Sequence, residues 1–352
     1  MKLAAAKKEE YKTLLKRTRV PHTSYEEARK ELDRAFDALG TTSFPQCRHL
    51  SAVSRTGKSM LVTDFQERSP TIRTDEGSVS KIVYACIPPK GTTMGLLENL
   101  LFALGDPYWE RGSESRKLAR LINLLEKCKC RAMILDEFQH LADKGQKNAA
   151  LQFTIDFIKS LLDPNKWLLI ASGLPSADSV IRKDPQLRNR FPPALKLPRF
   201  DWFDYRLRGE FMGVLTAFEE ALHPFDLPRL GCEEMAMRFY LATGGLIGLV
   251  TRILQRAVEI GLEENRLTIT NGHLTEAFER EVWFAEEYHG IGPFKMKINK
   301  ISIDNKLKVA GGLVEAEKSE VYQSQTEVII KSSEAGKVVT KATHNKEMAM
   351  AL

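Results

Sequence analysis

The chain has 352 residues, 52 Lys and Arg against 46 Asp and Glu for a formal charge of +6, five cysteines and a hydrophobic share of 43%. At roughly 150 residues per domain this length predicts about two domains, each able to bury a core of its own. The hydrophobic share excludes a disordered chain, charges break every long apolar run so that no membrane span fits, and the +6 is a mild hint of an anionic partner.

Residues 1–40 read as a helical lead-in. The apolar patch at Leu3–Ala6 is cut short by Lys7, Lys8, Glu9 and Glu10, far from the length of a signal-peptide core. Thr23 or Ser24 is the expected N-cap of a helix over Tyr25–Leu39, where Ala28, Leu32, Ala35, Phe36 and Leu39 recur at helical spacing. Across 41–200, short apolar runs (Arg48–Val53, Lys81–Ile87, Arg131–Leu135, Trp167–Ser172) alternate with helical stretches at Thr93–Leu104, Ser115–Cys128 and Ala149–Leu162. That alternation predicts an α/β fold, a parallel sheet sandwiched by helices. Residues 201–290 read as wholly helical, with segments at Arg206–Leu222, Cys232–Thr243, Gly248–Gly261 and Asn271–Glu286, and are expected to form a lid domain. After Gly290–Ile291–Gly292–Pro293 the stretch 291–352 turns polar, with short runs such as Val328–Ile330, and its composition favours a flexible tail.

The cysteines have no framework spacing and are expected to be reduced thiols of a cytosolic protein. Cys128 and Cys130 lack a second pair at zinc-site distance, and no histidines fall in H-E-x-x-H or H-x3-5-H spacing, so no metal site of protein ligands is indicated.

Four segments carry chemistry. Ala52-Val53-Ser54-Arg55-Thr56-Gly57-Lys58-Ser59 follows a candidate strand and precedes the helix Met60–Glu67, and it fits G-x4-G-K-[ST] except at Ala52. Such a loop offers backbone N–H groups and a helix N-terminus to phosphates, Lys58 reaches the β/γ-phosphates, and the Ser59 hydroxyl ligates Mg2+. Ala52 through Met60, with Arg55, Thr56 and Gly57 between, is therefore the expected nucleotide contact. Alanine at the first position gives up the freedom to take φ > 0. The second block, Ala132-Met133-Ile134-Leu135-Asp136-Glu137, reads as a buried parallel strand ending in two acids at the edge where such sheets bind ligands. Asp136 would hold the Mg2+ water shell and Glu137 would deprotonate the attacking water. The third strand ends in Ser172-Gly173, a place for a polar contact to the γ-phosphate or the water, although the same pair also suits a plain strand-to-loop turn. Downstream, Arg188 and Arg190 stand beside Phe191. They suit a finger offered to a neighbouring subunit's γ-phosphate, or a surface pair of salt bridges.

In this order the blocks resemble an AAA+ ATPase, and more narrowly the TniB/TnsC family of transposition regulators. The resemblance is carried by Ile87-Pro88-Pro89-Lys90, Gly105-Asp106-Pro107-Tyr108, Leu135-Asp136-Glu137-Phe138-Gln139-His140-Leu141, Ala171-Ser172-Gly173-Leu174-Pro175, Gln186-Leu187-Arg188-Asn189-Arg190-Phe191, Leu197-Pro198-Arg199-Phe200 and Gly244-Gly245-Leu246-Ile247-Gly248. It spans about residues 15–290 and leaves the tail unexplained. It implies ATP and Mg2+ as cofactors, Thr56–Ser59 as the phosphate loop, Asp136 and Glu137 as its acids, Ser172 as the sensor residue, and Arg190, with Arg188 second, as the trans-acting arginine. It further implies a bacterial cytoplasmic protein that hydrolyses ATP and assembles with itself as a ring or helical filament around double-stranded DNA, without sequence preference. Such an assembly links a TniQ-like target selector to a DDE transposase. The Lys90–Thr93 loop matches the segment that tracks DNA in relatives, which makes Lys90, then Thr92 and Thr93, the expected DNA contacts; a solvated loop lysine is the alternative.

Two departures from the family pattern point to slow hydrolysis tied to assembly. Ala52 breaks the strict loop, and Leu246 and Ile247 stand where many AAA+ proteins place an arginine at the lid helix start, with Arg252 one turn later. An AAA+ loader or initiator of another clade, and an ATP-binding scaffold with little hydrolysis, are the competing functions.

Overall fold

The computed structural model describes residues 5–20, 22–41, 46–74, 77–142, 148–162, 166–282, 285, 292–296 and 306–312. The chain divides into two units, one over Thr23–Pro198 and one that joins the residues up to His22 to those from Arg199 on. The 1–40 lead-in is therefore split between them. Its first helices, α1 (Ala5–Lys12) and α2 (Leu14–Arg17), belong with the C-terminal half of the sequence, and Lys8 Nζ donates to the Leu262 carbonyl at 2.7 Å.

The Thr23–Pro198 unit opens with α3 (Thr23–Asp37), which begins at Thr23 itself, so neither Thr23 nor Ser24 is the residue before the first turn. Its apolar stripe of Tyr25, Ala28, Leu32, Ala35 and Phe36 is buried as the spacing predicts. There follow β1 (Cys47–Ala52), α4 (Lys58–Glu67), a small antiparallel hairpin of β2 (Ile72–Thr74) and β3 (Gly77–Val79), and β4 (Ile82–Cys86). Helices α5 (Thr93–Ala103) and α6 (Glu114–Lys127) lead to β5 (Ala132–Asp136), α7 (Asn148–Leu162) and β6 (Leu168–Gly173). The short α8 (Asp178–Lys183) and α9 (Pro185–Arg190) precede β7 (Leu195–Leu197).

Five strands make one parallel sheet in the order β4-β5-β6-β1-β7. Its strands are apolar on both faces because both faces are covered. Met133, Leu135, Leu169 and Ala171 enter one core with α5, α6 and α7, whereas Ala132, Ile134, Leu168 and Ile170 enter a second core with α3 and α4. Successive residues of a strand point to opposite faces, so one strand feeds both cores. Cys47, Cys86, Cys128, Cys130 and Cys232 are all free thiols, and burial pushes Cys47 and Cys130 up to about 12, so both stay protonated as packing groups.

The other unit is helical: α10 (Tyr205–Ala221), α11 (Glu233–Thr243), α12 (Ile247–Glu263) and α13 (Asn271–Glu281) share one apolar core. Asp204 caps α10 by accepting from the N–H groups of Arg206 and Leu207, and Thr270 and His273 form a capping box on α13. The beginning of the polar tail differs from a flexible segment. Phe294, Met296, Leu307 and Ala310 are buried in this core, and Arg238 donates to the carbonyls of Pro293 and Met296 at 2.7 and 3.0 Å. Residues 297–305 and 313–352, Val328–Ile330 included, lie outside the described residues. Among the described residues no single helix is long and apolar enough to cross a membrane.

Candidate active site

Parallel strands end on one edge, and the register decides which side chains meet there. Cys86 pairs with Asp136, Leu135 with Ala171, and Leu50 with Ser172, so β5 and β6 bring Asp136 and Ser172 to the level at which β1 runs into the loop before α4. Ligands bind at this edge of open α/β sheets. Ala52 sits within β1, paired to Leu197 and buried, with no positive φ. Alanine is thus compatible with this backbone, because the positive φ values fall instead at Arg55 (66°) and Gly57 (98°). Gly57 is the residue before α4; an added Cβ meets nothing within 4 Å, so backbone conformation and not crowding calls for glycine. The Thr56 hydroxyl donates to the Val53 carbonyl at 2.8 Å and closes the loop. No side chain caps the N-terminus of α4, which leaves the helix dipole without an acceptor from the protein's own caps. Ser59 is exposed and Met60 half-buried in its first turn.

Lys58 reaches across to Asp136 Oδ1 and stands 3.9 Å from Glu137 Oε1. Asp136 also accepts from the Ser172 hydroxyl at 2.8 Å, from the Glu137 N–H at 2.9 Å and, on Oδ2, from the Tyr84 hydroxyl at 2.9 Å. Burial alone would raise the Asp136 carboxyl, but the Lys58 ammonium with the Glu137 and Ser172 donors outweighs it and holds the group below the usual carboxylate range. Tyr84 shifts the other way: burial and its bonds to Cys86 and Asp136 keep the phenol protonated. Glu137 follows with φ 57°, a left-handed conformation uncommon for a side-chain-bearing residue, and its side chain is 41% exposed. The arrangement is a cation, a well-ionised carboxylate and a more open carboxylate around a helix N-terminus, which suits a phosphate ester with its divalent cation. Ser59 and Asp136 carry oxygen atoms of the kind that could hold such a cation.

Tyr84 and Gln139 belong to this group although sequence reasoning gave neither a role. Tyr84 is hidden in the apolar run of a strand. Gln139 lies inside the Asp-Glu-Phe-Gln-His-Leu block, and its position two residues after the second acid was the available signal.

The remaining expected residues fall elsewhere, all but Arg252 in the same unit. Arg188 and Arg190 lie on α9, which Asp184 caps by accepting from Gln186 and Leu187 while pairing with Lys159 at 2.8 Å. Arg188 is exposed, and Arg190 Nη1 points to the Lys159 carbonyl at 3.5 Å. Lys90 and Thr92 are exposed in the loop before α5, with the Thr92 hydroxyl accepting from Gly95 N–H as its cap. Thr93 departs from the expected DNA contact. It is 8% exposed and its hydroxyl meets Thr154 Oγ1 at 3.1 Å, while Thr154 donates to Gly91, so Thr93 anchors the loop to α7 and does not face solvent. Arg252, in the helical unit, is engaged by Glu281 at 2.8 and 3.2 Å.

The family model described as "Bacterial TniB protein" matches residues 11–202. No curated protein matches the chain. Among solved structures, the ORC1 protein of Aeropyrum pernix in complex with DNA aligns with a TM-score of 0.58 at 17% identity, covering 79% of this chain and 71% of that one. The ORC2 protein of the same organism, with ADPNP and ADP, aligns at 0.54 and 15% identity over 84% and 82%. Cdc6p of Pyrobaculum aerophilum aligns at 0.53 and 14% identity over 91% and 89%. At these identities the likeness is one of fold: the AAA+ sheet and the helical region that follows it.

Proposed function

This chain belongs to the bacterial TniB family, and from that premise we propose that it is an ATP-dependent, DNA-binding regulator of transposition that hydrolyses ATP slowly, in step with its assembly. The observation that carries the reading is the meeting of Lys58, Asp136, Glu137 and Ser172 at the carboxyl edge of the sheet, beside the N-terminus of α4. ATP would supply the phosphoanhydride bond and Mg2+ the charge that neutralises its oxygens. Lys58 and the N–H groups of residues 55–59 bind the phosphates. Lys58 pairs with Asp136 in this structure; with phosphate on the loop Lys58 would turn to it, and Asp136 with Ser59 would hold the metal. Glu137, the more open acid, takes the proton of the attacking water, and Ser172 keeps Asp136 aimed. Arg190, with Arg188 second, serves the site of a neighbouring subunit.

DNA binding is supported by exposed Lys90 and by the likeness to an ORC1 protein whose structure is in complex with DNA. Residues 41–200 are the proposed nucleotide domain and 201–290 the lid. Residues 291–352 and the resulting ring or filament are proposed to meet a TniQ-like selector and a DDE transposase. The fold likeness to ORC and Cdc6 proteins favours one second reading, an initiator or loader, which predicts capture of a helicase and no capture of transposase. Electron microscopy with duplex DNA and a non-hydrolysable ATP analogue should show subunits encircling the duplex. Glu137→Gln should keep that assembly while ATP turnover falls to background; unchanged turnover refutes the assignment of Glu137.

A further inference from the structure

We propose that Gln139 is the positioning residue for Glu137, tying one oxygen of that carboxylate to the end of β6; the inference rests on the hydrolysis reading above. Gln139 lies in the short 3-10 turn Phe138–Ala142 directly after the two acids and is 9% exposed. Its side-chain oxygen accepts from the Leu174 N–H at 3.0 Å. A backbone N–H can only donate, so the amide orientation is fixed: oxygen toward Leu174, NH2 toward Glu137 Oε2, to which it donates. Glu137 is thereby divided in two. Oε2 is held by the amide, and Oε1, 3.9 Å from the Lys58 ammonium, is the oxygen turned to the phosphate side and left to accept a proton.

The same strand end reaches the other acid. Ser172 donates to Asp136, and two residues later Leu174 holds Gln139, so β6 fixes Asp136 directly and Glu137 through one amide. Gly173, between them, has no room for a side chain: an added Cβ would lie 2.7 Å from Gln139 Oε1 and 3.1 Å from the Phe138 nitrogen. Glycine at 173 therefore lets the amide close against the strand. A tether of this kind places a base, leaving nucleotide affinity to the loop and Lys58, and its loss should appear in kcat alone.

The test uses the full chain, with steady-state ATP turnover in the presence of duplex DNA and, separately, titration with a fluorescent ATP analogue. Gln139→Met keeps the length and removes the amide; Gly173→Ala keeps the amide and displaces it. Each should lower kcat roughly 10- to 100-fold with analogue affinity unchanged. Gln139→Glu, which sets a like charge against Glu137, should not rescue turnover. The double variant Gln139→Met/Gly173→Ala should be no slower than the slower single one, because both act through one bond. Should Gln139→Met fail to fold, Gly173→Ala and Gln139→Glu carry the same expectation. Full kcat in these variants, in a protein whose turnover Glu137→Gln abolishes, overturns the tether alone. A wild-type chain that binds the analogue without turning ATP over overturns the hydrolysis reading and the tether with it.

Discussion

Asp136 concentrates the chemistry of the site, because one carboxylate accepts from four donors: Lys58, Ser172, Tyr84 and its neighbour's N–H. A carboxyl whose folded pKa is depressed adds stability that is fully present above its ordinary value of about 3.9 and is lost as pH falls through the lower folded value. Removing Lys58 weakens this, since its ammonium is the main group that opposes the effect of burial on the carboxyl. Lys58→Met should abolish nucleotide binding and cost about 1–3 kcal/mol at pH 7, as three other donors still satisfy Asp136. The deficit should shrink on acidification from pH 7 to below about 3.9, the range in which the wild-type carboxyl loses the stability that Lys58 confers. Denaturant unfolding at the two pH values measures it, and a deficit independent of pH argues against the Lys58–Asp136 coupling. At this scale Lys58, Asp136, Glu137 and Ser172, which the structure brings together, were legible, because each is a particular functional group at a telling spacing. Tyr84 and Gln139 were not, because they act on other side chains, and only the fold brings 84 to 136 and 139 to 174.

Among the elements, the longer strands of the sheet were readable and the three-residue ones were not. β1, β4, β5 and β6 each lie within about one residue of the apolar runs that predict them, since a strand covered on both faces has no polar alternation to confuse it. β7 escaped: it has three residues, Leu195–Leu197, is flanked by Pro193 and Pro198, and pairs with Leu50, Ser51 and Ala52. The β2–β3 hairpin is equally short. The packed start of the tail was missed for another reason, that its apolar residues are few and it gains order only by joining a core built from α10–α13. Ile134 tests the two-core reading. It is fully buried in β5 on the α3/α4 side, so Ile134→Ala should cost about 2–5 kcal/mol, whereas the equivalent change at exposed Ile122 should cost far less. Thermal melts of the two variants check it, and equal losses contradict the assignment.

For the whole molecule, a charge of +6 is modest, and affinity for a duplex would come from repetition: each subunit of an assembly adds the same few cations. Lys90→Ala should therefore weaken binding to unrelated duplexes alike and flatten the dependence of log K on log salt by about one unit for each phosphate no longer neutralised. Filter binding across a salt series reads the slope, and parallel slopes for variant and wild type remove Lys90 from the interface. The two units also differ in how local their contacts are along the chain. The Thr23–Pro198 unit holds its strands and helices in one continuous stretch and can close as soon as that stretch has left the ribosome. The helical unit cannot, because Lys8 awaits Leu262 and the Lys12 carbonyl awaits Gln255, at separations of 254 and 243 residues. The first helices made are thus among the last to find their places. The core of α10–α13 takes side chains from residues far apart in the chain, Leu15 and Val20 on one side and Phe294, Met296, Leu307 and Ala310 on the other, and such non-local contacts form late.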